Sequence, residues 1–465
     1  MKQIKQLMKN TLIYAIGNFG TKVLSLLIIP LYSYNIAPKE LGYYDLIITI
    51  ISLLQPILTF QLADGVYRML VGSDSVQQDE YIASTLKLLL KGLIFIIIFG
   101  SIIVNIFNVP LSLYIILLLI INCILPVLQQ IIRGLSLNKL YALTGFLNSS
   151  IMLIINAIGI AYLHYGIEVL LISQILSGVF CCCLILKSKP RIVKCMFNKS
   201  AIAIQNELVH YSWPLIPNAI CWWIFNSSSR IIISLFIGLS ANGIFAMASK
   251  FPSIMQSITS LFQLAWQESA IKEYYSKNRD DFFSLIFYNY YKILFCVTIC
   301  LIPATRILTE LILSNSYKNV WIFTGFLFLS SVFNALSSFL GTGYIIAKET
   351  KKIFSTTIIS ATINLVFNLI FVGIIGIQSA SLASFLAYFI LFFLRIKDCK
   401  KYFRLNVQWK TFNCLLILNL TMNMLILKVN IYICFLLLTI ACLISIVFNK
   451  KLIVQTVRCI VSAKY

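Results

Sequence analysis

Long apolar runs alternate with short polar breaks along almost the whole chain, and this pattern sets the first expectation. A helix needs about 20 predominantly apolar residues to cross a bilayer, and runs of that length recur from residue 11 to residue 449. They predict fourteen spans: 11–34, 41–63, 82–105, 111–132, 141–163, 167–188, 207–238, 241–267, 282–305, 318–346, 353–375, 377–397, 411–428 and 431–449. The connections are short and leave no room for a soluble catalytic domain. The expected fold class is therefore all-α integral membrane, with about fourteen transmembrane helices.

Composition agrees with the pattern. Of 465 residues, 60% are hydrophobic and 11% charged, a balance that no soluble domain of this length needs. The net charge of +22 raises nucleic acid as a partner, but the distribution of charge argues against it. With the N-terminus inside, 27 of the 37 Lys and Arg fall on one side, and only Lys39, Arg306, Lys318 and Lys428 face the other. That asymmetry is the positive-inside signature, so both termini are expected in the cytoplasm. The 13 cysteines lie mostly in or beside spans with no paired CxxC motifs, so they read as small apolar packing residues. No metal, cofactor or catalytic residue is expected.

The basic stretch "KSKPRIVKCMFNKS" from Lys187 follows the sixth span and reads as a solvated cytoplasmic loop. It divides the chain into an N-lobe (1–188, spans 1–6), a linker (189–206) and a C-lobe (207–397, spans 7–12), with an extra helix pair at 411–449. "NFGTKVLSLLIIPLYSYNIAPKELGYYD" in the first lobe can be laid against "NSSSRIIISLFIGLSANGIFAMASKFP" in the second. Asn18 and Lys22 then match Asn226 and Arg230, although the intervening lengths differ by seven residues. Such symmetry suggests two six-helix lobes around a central cavity, since parallel repeats in transporters enclose substrate at the repeat interface. Pro30, Pro56, Pro214, Pro217 and Pro252 offer helix bends in the opening span pairs.

Four cations lie deep in predicted spans. At a rise of about 1.5 Å per residue, Lys22 is roughly 16 Å and Lys292 roughly 15 Å from the inner edge; Lys250 is roughly 14 Å and Arg230 roughly 12 Å from the outer edge. A cation at a helix centre costs about 2.5–3.5 kcal/mol on insertion scales, so each needs a compensating partner. The fifteen acids sit in loops or near span ends, the deepest being Asp45 about four residues into span 2. The expectation is a net positive, unpaired mid-membrane field suited to a phosphate or diphosphate. The alternative is that each cation is structural and bonded to backbone carbonyls. Arg68 and Arg133, at inner span edges, read either as topology signals or as a cytoplasmic entrance for a phosphate-bearing headgroup.

Amides and aromatics inside the spans suit a sugar-bearing cargo. Asn364 and Asn368 share a helix face, Asn148, Asn218, Asn226, Gln256 and Gln263 add donors and acceptors, and Trp222 and Trp223 lie deep enough to stack on sugars. Interhelical hydrogen bonding and packing compete with that reading at every one of them.

The segments "NTLIYAIGNFGTKVLSLLIIPLYSYNIAPKELGYYDL", "GVYR", "IIRGLSLNKLYAL" and "SWPLIPNAICWWIFNSSSRIIISLFIGLSANGIFAMASKFP" resemble bacterial polysaccharide-export flippases of the Wzx type. That superfamily also holds multidrug and toxin extruders and lipid II flippases. The resemblance implies a two-lobed inner-membrane protein with twelve or fourteen helices that moves polyprenyl-diphosphate-linked oligosaccharide across the cytoplasmic membrane by alternating access. Membrane lipids and other polysaccharide-assembly proteins are its implied partners. By position, Lys22, Arg68, Arg133 and Arg230 look like the cations lining its cavity. Such proteins often carry an acid just before the span 7 arginine; here Ser229 stands there, which puts an ion-pair switch at that position in doubt. Two rivals within the superfamily are a lipid II-type flippase and a multidrug exporter. A rival from another class, a membrane-embedded polysaccharide polymerase, usually carries a long external loop that this chain lacks.

Overall fold

The computed structural model describes residues 28–163, 165–198, 201–347 and 349–462; side chains are not described at Val104, Asn105, Lys272, Thr350 and 451–462. Every regular element among the described residues is helical. Two compact units divide the chain, Met1–Ser234 and Leu235–Tyr465.

Unit 1 contains α1 (28–35), α2 (Pro38–Leu58), α3 (Leu62–Leu70), α4 (Ser75–Ile106), α5 (Ser112–Gly134), α6 (Asn138–Asn156), α7 (Ile167–Ser188), α8 (Pro190–Phe197), α9 (Ile202–Ser212) and all but the last two residues of α10 (Leu215–Phe236). Its core is aliphatic, with Val66, Leu70, Ile82, Leu128, Ile131, Ile185 and Ile192 buried together from five helices. Pro56 withholds a backbone donor near the end of α2, and the chain then turns sharply. Phe60 and Gln61 adopt left-handed φ of 50° and 52°, a conformation costing about 1–2 kcal/mol per residue, before α3 resumes at Leu62. The short α3 lies close to its neighbours. A Cβ added at Gly65 would come within 2.0 Å of Ser212 Oγ, and one at Gly134 within 2.8 Å of Leu70 Cβ.

The stretch expected to be a solvated linker is largely helix. Ile192 and Cys195, three apart on α8, are both buried, and Arg191 bonds Asp79 (2.6 Å) and the Ser75 carbonyl (2.6 Å) on α4. Its charge pattern marked a loop, but the apolar pair one turn apart makes it an amphipathic helix docked on α4.

Unit 2 contains α11 (Leu239–Glu273), α12 (Arg279–Ile312), a 3-10 turn (Asn315–Val320), α13 (Trp321–Ile346), α14 (Thr350–Ile375), α15 (Gln378–Cys399), α16 (Trp409–Ile426) and α17 (Ile431–Ser462). At its centre α13 packs against α15, α11 and α12. The core here is aromatic: Phe333 meets Phe295, Phe385, Phe389, Phe392 and Phe412 edge-on. Such arrangements add about 0.5–1.5 kcal/mol per pair beyond area burial. Gly376, at φ +60°, turns α14 into α15 at an angle that side chains resist.

Eleven helices among the described residues are long and apolar enough to cross a membrane. They fall on eleven of the fourteen expected spans. Of the other three, the first lies almost wholly outside the described residues. The eighth and thirteenth correspond to α11 and α16, helices diluted by polar side chains such as Lys250, Gln256, Gln263 and Glu268 in one and Lys410, Asn413, Asn419 and Asn423 in the other.

Candidate functional site

Lys22 lies outside the described residues.

In unit 1, α2 and α10 meet through polar contacts. The Arg230 Nη1 donates to Asp45 Oδ1, forming an ion pair whose partners are largely buried, with side-chain exposures of 26% and 13%. One turn and more inward, Trp223 Nε1 donates to the Thr49 carbonyl and to Ser52 Oγ, both at 3.0 Å. The expectation of deep cations without carboxylates is therefore corrected at Arg230. The error was one of depth: α2 begins at Pro38, so Asp45 lies about 10 Å into the helix, and Arg230 lies about 9 Å from the other end of α10. The acid absent at Ser229 comes instead from a residue 185 positions earlier.

Beside this contact, α7 bonds α2 through Gln174 Nε2 and Tyr44 Oη, and α6 bonds α1 through Asn156 Nδ2 and Tyr32 Oη at 2.9 Å. A cavity of about 210 Å³ opens between α2, α5, α6 and α7, where Asn122, Asn148, Gln174 and Ser177 supply neutral polar groups. Asn148 Oδ1 is buried with no protein partner. The cavity walls carry no charge.

Arg68 and Arg133 occupy neighbouring elements. Arg133 sits at the end of α5 with its guanidinium 4.5 Å from the centre of the Tyr67 ring and 5.8 Å from that of Tyr141. A cation between two aromatic faces is held without losing its charge, since ring quadrupoles attract it. Arg68, next to Tyr67 on α3, is exposed.

In unit 2, Lys292 on α12 is 6% exposed, with its ammonium 4.8 Å from the centre of the Tyr288 ring. Lys250 is half-buried on α11. Asn364 and Asn368 are fully buried and turned to α15: Asn364 Nδ2 donates to Ser384 Oγ (3.5 Å) and Asn368 Oδ1 accepts from Ser379 Oγ (2.7 Å). Gln263 Nε2 likewise donates to the Ser338 carbonyl (2.9 Å) on α13. Trp222, by contrast, is 39% exposed.

One buried cation escaped the sequence reading. Arg395, near the end of α15, is 5% exposed, and no carboxylate pairs with it among the described residues. Its Nη1 donates to the Ser337 carbonyl (2.9 Å) and its Nη2 to Thr357 Oγ1 (3.2 Å), while Nε has no partner. Its position at a span edge made it look like one more topology signal.

The solved structure "Lipid II flippase MurJ, inward closed conformation" superposes with a TM-score of 0.67 at 16% identity, covering 95% of this chain and all of that one. An inward-facing multidrug resistance MATE family transporter of the MOP superfamily gives 0.66 at 15% identity over 83% of this chain and 98% of that one. A MOP superfamily transporter from Pyrococcus furiosus gives 0.52 at 14% identity, covering 85% and 96%. At these identities the likeness establishes the fold, that of MOP superfamily transporters and flippases. A sequence profile described as polysaccharide biosynthesis protein matches residues 7–267, more than half of the chain. The chain belongs to that family. No curated protein matches it in sequence.

Proposed function

We propose that the protein is a flippase for polyprenyl-diphosphate-linked oligosaccharide, working by alternating access in the bacterial cytoplasmic membrane with both termini inside. The observation that carries this reading is the polysaccharide-family match over residues 7–267 on a chain whose fold is that of a lipid II flippase. The second cargo to weigh is lipid II itself, which shares the diphosphate chemistry. An N-lobe of 1–188, a C-lobe of 207–397 and a helix pair at 411–449 form the proposed organisation.

In this reading Lys22, Arg230, Lys250 and Lys292 meet the diphosphate, and Arg68 and Arg133 receive the headgroup at the cytoplasmic side. Arg230 gives the proposal a chemical step. A diphosphate offers several anionic oxygens where Asp45 offers two, so the cargo competes with the carboxylate for the guanidinium. Binding then exchanges one charge-assisted bond of Arg230 for another, and it requires the released Asp45 carboxylate to take up water or a proton as the guanidinium leaves it. Sugar stacking falls to Trp222, which is 39% exposed, while Trp223 is tied to α2 through Nε1 and Asn364 and Asn368 are buried with one amide atom of each bonded to α15.

Reconstitution tests this directly. Proteoliposomes are loaded with polyprenyl-diphosphate oligosaccharides or with lipid II, and appearance in the opposite leaflet is followed. The expected result is transport of the oligosaccharide, lost in Lys22→Ala and in Arg230→Ala at normal protein abundance. Transport retained in both variants, or confined to lipid II, overturns the assignment.

A further inference from the structure

A groove in unit 2 lies at one end of α15, and its chemistry changes along its length. It encloses about 660 Å³ between the last turns of α15, the connection that follows and the start of α16. Phe389, Phe393, Leu394 and Trp409 form apolar walls, with Phe393 and Trp409 stacked at 6.2 Å and an interplanar angle of 11°. Both rings remain open, at 39% and 42% exposure. At the groove's end stand Lys397 and Lys400.

We infer that this groove is a binding site for one anionic phospholipid of the bilayer, with an acyl chain along the aromatic wall and the phosphate at Lys397 and Lys400. The inference stands apart from the proposed cargo. Three features support it.

The first is charge. Residues 396–410 hold five cations, Lys397, Lys400, Lys401, Arg404 and Lys410, against the single acid Asp398. Asp398 accepts a hydrogen bond from Tyr344 Oη (3.0 Å), and all five cations are exposed. Lys397, Lys400, Arg404 and Lys410 form no ion pair among the described residues. Basic pockets between helices at the cytoplasmic face are the expected receptors for anionic headgroups.

The second is length. From Phe389 to Lys397 the helix rises about 12 Å. A single leaflet's hydrocarbon is about 15 Å deep, half the bilayer core. A lipid seated here keeps its phosphate at headgroup depth and its chain within one leaflet, which is where a resident phospholipid already lies.

The third is the rim. Trp409 opens α16 at the lysine end, and an indole with one polar edge favours that boundary between headgroups and chains.

Trp409 also supplies the probe. The protein is placed in phosphatidylcholine vesicles containing either dibrominated phosphatidylglycerol or dibrominated phosphatidylcholine at equal mole fraction. The Trp409 contribution is the difference between the native protein and Trp409→Phe, which keeps the ring stack. Phosphatidylglycerol is expected to quench that component several-fold more strongly, and Lys397→Gln/Lys400→Gln to abolish the preference. Both lysines are exposed, so the double variant keeps its fold; native mass spectrometry of the same proteins should show a retained phosphatidylglycerol adduct lost in the variant. Equal quenching by both lipids, or a preference indifferent to the lysines, reduces the groove to ordinary lipid contact and overturns the inference. Relief of quenching by added polyprenyl phosphate overturns it too, by giving the groove to a prenyl chain.

Discussion

Arg230 in one unit and Arg395 in the other are both withdrawn from solvent, and the two are satisfied by different chemistry. Arg230 in unit 1 is matched by the carboxylate of Asp45; Arg395 in unit 2, more deeply buried, leans on the Ser337 carbonyl and the Thr357 hydroxyl. A carboxylate neutralises the cation, so its loss orphans a charge. Neutral acceptors solvate the cation without cancelling it, so the charge persists and one donor, Nε, is left over. The difference teaches that a buried cation with no acid nearby in sequence is not thereby reserved for a ligand. Backbone carbonyls can hold it, and an acid from a distant helix can reach it.

The contrast is broken most severely at the ion pair. Asp45→Ala leaves Arg230 uncompensated and is expected to destabilise by about 2–3 kcal/mol, below the 3–5 kcal/mol typical of fully buried pairs because Arg230 retains some exposure. Asp45→Ala/Arg230→Ala should cost less than Asp45→Ala alone, since no charge remains unpaired. Unfolding midpoints of the purified variants in detergent, taken as a double-mutant cycle, check both statements. A double variant that costs as much as the sum of its parts would show that the two side chains contribute independently and do not pair.

Arg395 should behave in the opposite way. Arg395→Met removes a cation held only by neutral acceptors, and the expected change is within about 1 kcal/mol in either direction. A Cβ at Gly341 would lie 2.9 Å from Arg395 Nη1, so Gly341→Ala displaces the guanidinium from Ser337. That substitution is expected to cost about 1–2 kcal/mol in the native background and nearly nothing beside Arg395→Met. Equal costs in both backgrounds would separate the glycine from the arginine.

The contact that frames the ion pair carries a smaller share. Trp223→Phe keeps an aromatic ring but removes the pyrrole N–H that donates to Thr49 and Ser52, for an expected loss of about 1 kcal/mol in the same unfolding assay. No measurable loss would mean that water replaces the indole N–H there.

What the sequence made legible follows from the range of each signal. Apolar runs about 20 residues long are a local property, so eleven helices coincide with predicted spans and the helical fold class needed no structure. Mean apolarity was less decisive where amides and charges are interleaved, as in α11 and α16. Boundaries mattered more than their few residues suggest: a start at 41 instead of Pro38 left Asp45 too shallow to reach Arg230. Pairing across 185 positions has no local signature at all, and Arg395 was hidden because the same residue type at a span edge usually means topology. The amphipathic pair in α8 was readable from Ile192 and Cys195, but the flanking Lys187, Lys189, Arg191 and Lys194 give the same stretch the charge pattern of a solvated loop. Lys22, the cation that raised the question of cargo, lies outside the described residues, so its role stays with the transport assay.

The smallest expected effect lies at a third arrangement of charge, one open to solvent. Between α13 and α14, Glu349 pairs with Lys352 and accepts a hydrogen bond from Tyr402 Oη (2.9 Å), which itself accepts from Lys352 Nζ (3.1 Å). The bonds from Lys352 and Tyr402 hold the Glu349 carboxyl below its ordinary range. A carboxyl depressed in the folded state stabilises fully above its unfolded value, about 4.3, and that contribution fades as pH falls through the lower folded value. Glu349→Gln keeps the shape and cannot ionise. The native protein is therefore expected to be slightly the more stable at neutral pH, with the gap closing as pH falls below about 4. Midpoints of the two proteins measured across that range decide it. A gap that stays constant into acid would mean that Tyr402 and Lys352 hold the glutamate by shape alone, and the exposed trio would then resemble Arg395, with its neutral acceptors, more than the ion pair of unit 1.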